Sequence, residues 1–181
     1  AGSFSLAGLN IVSAKAITRM DHITIDTFYV CDGKGGIVQS QTAREKFKES
    51  LDKAVVKNKD LTKEILRSAE ALPSGKYLKR DKHTPFSQSV DVYHEVELGK
   101  TVVEVEAYGK IGLLYFLGKV IYQKGYDMTF ARIATERNIA VDTFYIENAR
   151  DTTEGKKDRN LIDLKNSLNK VIASDNLKAV G

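Results

Sequence analysis

The sequence predicts an α+β protein made of two tandem βαββαβ sandwiches, the first of them lacking its N-terminal strand. Three observations carry this reading. The pentapeptide DTFYV at 26–30 returns almost letter for letter as DTFYI at 142–146. The likeness extends upstream, aligning Gly8 with Gly125, Ala14 with Ala131, Lys15 with Arg132 and Thr18 with Thr135. The second copy is shorter by one residue only where both are polar, ERN against RMDH, and a hairpin turn tolerates such a change. Each copy therefore reads as strand, turn, strand.

In the first half, Gly8 ends a helix of which only residues 1–7 are at hand, and no strand precedes it. After the hairpin, TAREKFKESLDKAVVKN carries a capping-box pattern in Thr42 and Glu45 and an apolar stripe of Ala43, Phe47, Leu51, Ala54 and Val55. DLTKEILRSAEAL is a second, short helix that stops before Pro73. The first unit is thus placed at 1–72. Residues 73–87 hold both prolines and the basic run KYLKRDK, and read as a solvated linker rather than a binding patch. The second unit is placed at 88–181.

That unit opens with QSVDVYHEVEL, a strand through Val90, Val92, Tyr93 and Val96, and TVVEVEA, whose valines alternate with Glu104 and Glu106 as in a strand with one wet face. GLLYFLGKVIYQKG places Leu113, Leu114, Leu117, Val120 and Ile121 at helical spacing and closes at Gly125. Beyond the second hairpin, Leu161, Leu164, Leu168, Val171 and Ile172 form one stripe behind a cap at Asp158 or Asn160. The order on both sides of the linker fits ferredoxin-like sandwiches. A missing first strand leaves ladder groups unpaired, so residues 88–96 are expected beside TVVEVEA, and the two sheets are expected to join edge to edge within or between chains. The alternative is a piece cut from a larger protein.

Composition narrows the function classes. With 42% apolar and 29% charged residues and two prolines, the chain is a folded domain rather than a disordered one. No run approaches the roughly 20 apolar residues of a membrane span, and the N-terminus lacks signal-peptide features, so a cytoplasmic location and no membrane partner are expected. Cys31 is the single cysteine, and His22, His83 and His94 are scattered, so no metal or other cofactor is expected. Net charge is +4, but acidic and basic residues interleave. A ferredoxin-like nucleic-acid binder needs aromatics on an exposed sheet, and Phe28 and Phe144 sit in strands. No Gly-Phe-Gly-Phe-like string accompanies them, so nucleic acid ranks last among the partners.

The stretches GLNIVSAK, ARIAT and the two D-x-FY strands resemble ACT domains, and above all the C-terminal ACT pair of the bacterial PII uridylyltransferase family. The resemblance covers residues 1 to about 57 and 88 to about 173. It implies an amino-acid sensor, with glutamine as the ligand, and contact with the PII protein only through a parent enzyme. The chain carries neither a D-x-D metal pair nor a His-Asp cluster, so by itself it is not expected to catalyse. A standalone tandem-ACT regulator is the alternative. Where ACT domains carry Asp-Arg-Pro-Gly, this chain has Gly109-Lys110-Ile111-Gly112. The resemblance implies ligand contacts from Lys110, Gly112 and Leu113 at the helix start, and from Asn10 and Asp127 where each second strand begins. Lys110 also reads as a solvated loop charge, and Asn10 and Asp127 as turn residues. Asp26 and Asp142 are expected to pair with Lys15 or Arg132 across their hairpins.

Overall fold

The computed structural model describes residues 1–19, 23–71, 86–136, 138–148 and 160–174. The expected linker therefore lies, except for residues 86 and 87, outside the described residues, as do both hairpin turns in part. Among the described residues, six antiparallel strands form one sheet in the order β2-β1-β5-β6-β4-β3. Their ranges are β1 Asn10–Thr18, β2 Thr24–Cys31, β3 Ser89–Glu95, β4 Lys100–Tyr108, β5 Tyr126–Glu136 and β6 Ile139–Asn148. The helices are α1 Gly2–Leu6, α2 Gln41–Val55, α3 Thr62–Glu70, α4 Leu113–Gln123 and α5 Leu161–Ala173.

The two hairpins match down to their irregularities. In β1·β2 the register slips between Ile11 and Ser13, and in β5·β6 between Met128 and Phe130, which are the aligned positions of the repeat. A bulge repeated at one place bends both hairpins alike. β1 then pairs with β5, with Lys15 directly opposite Arg132. Those two are themselves equivalent in the repeat, so a local two-fold axis passes between them and relates the halves.

Strand β3 pairs with β4, Val90 opposite Val105 and Val92 opposite Val103. It takes the edge place of a ferredoxin-like last strand, although in the chain it precedes β4. Val96, expected in this strand, lies instead in the turn that leads to Gly99 and is exposed.

The core lies beneath α4 and α5. Leu117, Leu164 and Leu168 of the expected helical stripes are fully buried there, together with Phe116 of α4, which lies off the expected stripe, and Phe144 and Ile146 of β6. Asn160 caps α5 by accepting from the N–H groups of Ile162 and Asp163. The first half is covered more thinly. Helix α2 is capped by Ser40, whose Oγ accepts from the Ala43 N–H at 3.2 Å, rather than by Thr42. Its buried stripe is rotated from the expected one. Phe47 stacks on Phe4 with centroids 4.3 Å apart and Ser50 is buried, while Leu51 and Val55 face outward. The reason is its partner: α2 packs on the short α1. Ser50 tolerates burial by donating to the Lys46 carbonyl of its own helix at 2.7 Å.

Candidate functional sites at the junction of the halves

The local two-fold dictates which ends of the strands meet. β1 runs antiparallel to β5, so the start of β1 lies where β5 ends, and the Thr135 hydroxyl donates to the Ile11 carbonyl at 3.2 Å. At that same end the Gly109 N–H donates to the Asn138 carbonyl at 2.7 Å, anchoring the β4–α4 loop. Asn10, Lys110, Gly112 and Leu113 therefore share one end of the sheet. Asp127 starts β5 at the opposite end, next to Met128, whose carbonyl accepts from the Thr18 hydroxyl at 3.2 Å. It is exposed.

The individual side chains have specific occupations. Lys110 extends across to the C-terminus of α5, where its Nζ donates to the carbonyls of Val171, Ile172 and Ser174 at 2.7, 2.8 and 2.8 Å. A lysine ammonium has three donors, and here they stabilise the negative end of a helix dipole. Gly112 caps α4 in the left-handed conformation, φ +76°, and Ile65 of α3 leans so close that an added Cβ would lie 2.6 Å from its Cγ2. Only glycine meets both demands. Leu113 is buried, and its N–H closes a turn to the Lys110 carbonyl at 3.2 Å. Asn10 is exposed and donates through Nδ2 to the Asp32 carbonyl at 3.4 Å.

A cavity of about 610 Å³ lies on the helix side of the β1–β5 junction. Its floor is formed by Ala14, Ala16 and Phe28 of the first half with Ala131, Ile133 and Phe144 of the second. The five residues of α1 cover less of the sheet than the eleven of α4, which leaves this space over the first hairpin. One wall is polar. The Asp60 carboxylate accepts from the Thr62 N–H at 2.7 Å, the Tyr115 hydroxyl at 2.9 Å and Lys119 Nζ at 3.0 Å. Bonds from Thr62 above all hold the Asp60 carboxyl far below the usual carboxylate range, and partial burial pushes the Tyr115 phenol up. Lys119 also donates to Thr62 Oγ1 at 2.6 Å, so this wall is a closed network.

The expected pairing of the repeated aspartates is not what the fold makes. Asp26 stands opposite Ala16 and Asp142 opposite Ile133, and their side chains project to the helix side, whereas Lys15 and Arg132 project from the other face. Strand alternation forbids the contact. The twins also differ in surroundings: Asp26 is exposed at the cavity, while Asp142 is buried among β4, β5 and β6, with no partner for its Oδ1 among the described residues. Burial pushes the Asp142 carboxyl up to about 7, against one bond from the Ala134 N–H. Sequence reading expected Asp142 in a cross-strand pair and missed its burial, although its parity with Phe144 and Ile146 was the available signal. Among the described residues no cluster of His, Cys, Asp or Glu fits a metal ion, and no helix is long and apolar enough to cross a membrane.

Comparison with known proteins gives one consistent result. The chain resembles a bifunctional uridylyltransferase/uridylyl-removing enzyme. It is 29% identical over 150 residues to the enzyme of that name from Ectopseudomonas mendocina, and 25% identical over 148 residues to that from Rhodospirillum rubrum. A third, from Pseudomonas syringae pv. syringae, is 28% identical over 144 residues. These matches cover 79–82% of this chain but only 15–16% of the relatives. No protein-family model matches the chain, and no solved structure matches it.

Proposed function

We propose that this chain is a tandem pair of ACT-type units serving as the amino-acid-sensing, regulatory part of a uridylyltransferase/uridylyl-removing protein, with glutamine as the ligand and the PII protein as the target of the parent enzyme. The observation that carries the proposal is the local two-fold: two hairpins with the same bulge, joined through β1 and β5. Ligands of paired sensor units bind where the halves meet, because a molecule held by both biases their relative arrangement. The similarity to uridylyltransferase/uridylyl-removing enzymes supports the parent's identity.

The binding position is the end of the sheet that brings Asn10 together with the β4–α4 loop. Lys110 holds α5 there, so the ligand carboxylate is met by backbone N–H groups at the start of α4 and by the Asn10 amide. Helix α3, through Ile65 against Gly112, forms the roof. Titration calorimetry of this chain with each of the twenty amino acids tests the proposal. Saturable binding of glutamine, weakened about tenfold by Asn10→Ala, is the expected result. Heats of dilution alone for all twenty refute the sensing role.

A further inference from the structure

The face of the sheet turned away from the helices carries an ordered pattern that ligand sensing at the loop end does not use. Ladder register fixes three rows of side chains across it. The first runs Tyr29, Ser13, Ala134, Val141, Glu106, Ser89; the third runs Ile25, Ile17, Phe130, Tyr145, Val102, Tyr93. Between them lies Thr27, Lys15, Arg132, Thr143, Glu104, Asp91. That middle row is graded in charge, two cations on β1 and β5 and two anions on β4 and β3, with the neutral Thr143 of β6 between them.

The flanking rows carry apolar side chains that are open to solvent. Ile17 is 38% exposed, Val141 44% and Tyr93 40%. Exposed isoleucine, valine and tyrosine on one flat face mark a contact surface rather than scattered surface residues. Lys15 lies over the Phe130 ring at 5.9 Å, which holds that cation within the face. Asp91, on the edge strand, is also reached by Lys165 at 2.9 Å, an exposed pair that water already weakens.

We propose that this face is an isologous interface on which two copies of the chain stack sheet against sheet. The occupant follows from the charge order. A two-fold axis lying in the interface, parallel to the strands and over β6, carries β5 onto β4 and β1 onto β3 of the second copy. Arg132 then faces Glu104 of the second copy and Lys15 faces its Asp91, while Thr143, Val141 and Tyr145 meet their own equivalents. Sheets packed about 10 Å apart with aligned strands keep this match best near the axis, where the Arg132–Glu104 pair sits. A nucleic acid is the poorer occupant, since Glu104, Glu106 and Asp91 occupy the same face and repel phosphate. The five strands that overlap about this axis, β1 to β3, lie about 4.8 Å apart and span roughly 19 Å, and the three rows cover on the order of 300–400 Å² in projection. That is below the usual size of stable interfaces, so the association is weak and concentration-dependent.

Sedimentation velocity of the whole chain from about 1 to about 200 μM tests the proposal, with charge reversals that leave the exposed positions folded. A monomer–dimer equilibrium is expected. Arg132→Glu and Glu104→Arg, each alone, place like charges opposite one another and weaken the dimer by at least about tenfold. The double variant restores it, because the reversed pair is complementary again across the axis. A chain that stays monomeric throughout the range overturns the proposal, and so does a dimer indifferent to both single reversals. Salt-sensitive binding of single-stranded RNA by a purely monomeric chain would replace the second copy with nucleic acid. None of these outcomes depends on glutamine binding.

Discussion

Replacing Asp142 with asparagine isolates the energetic effect of one buried carboxyl. The group is 2% exposed, one of its oxygens has no partner among the described residues, and burial raises it from 3.8 to about 7. Because the folded-state value is the higher, the native protein holds more protons than the unfolded chain throughout that window. Stability therefore falls as pH rises from about 4 to about 7 and levels off above it. A difference of roughly three pKa units corresponds to about 4 kcal/mol in full, of which about 3 kcal/mol falls between pH 4.5 and pH 8. The asparagine side chain does not titrate, and it keeps an oxygen able to accept the Ala134 N–H. The extra amide hydrogens cost the variant about 1–3 kcal/mol wherever they find no acceptor. Urea unfolding at pH 4.5, 6 and 8 separates the two effects, since that cost is constant with pH and the charge term is not. Relative to the parent chain, Asp142→Asn should gain about 3 kcal/mol between pH 4.5 and pH 8. A difference between the two proteins that stays constant over this range would refute the reasoning.

Three further outcomes follow from the geometry. Gly112→Ala combines a left-handed backbone with a Cβ 2.6 Å from Ile65, and should cost about 1–3 kcal/mol in chemical denaturation. Lys110→Met removes the ammonium from three carbonyls at the end of α5 and should lose about 1–2 kcal/mol, seen as faster amide exchange in the last turn of that helix, while glutamine affinity is unchanged. Ser40→Ala should lower stability by about 1 kcal/mol, whereas Thr42→Ala should be nearly neutral; equal effects in thermal unfolding would return the cap to Thr42.

Much of the candidate site was legible as position and little of it as contact. The glycine at 112 and the polar residues that open β1 and β5 were recoverable from the repeat and from helix punctuation. What those residues touch was not. Lys110 reads in sequence as a loop cation near a helix start, but its carbonyl partners lie more than sixty residues onward. The cavity wall is equally remote from inspection, since Asp60 and Lys119 come from different halves. The rotated stripe of α2 has the same origin, because a helix buries whichever face its neighbour covers, and that neighbour is the five-residue α1.

The sequence by itself determined the local units: two hairpins with equivalent residues, the amphipathic faces of α4 and α5, and the alternating strand that became β4. These depend on backbone propensity and on periods of 2 and 3.6 residues, which need no distant partner. Tertiary structure alone decided that the edge-to-edge joining runs through β1 and β5, with Lys15 opposite Arg132. It also gave one letter of the repeat two fates, Asp26 in the open and Asp142 in the core. The physical reason is that burial and pairing are set by what lies across the fold, and identical pentapeptides carry no record of which helix covers them.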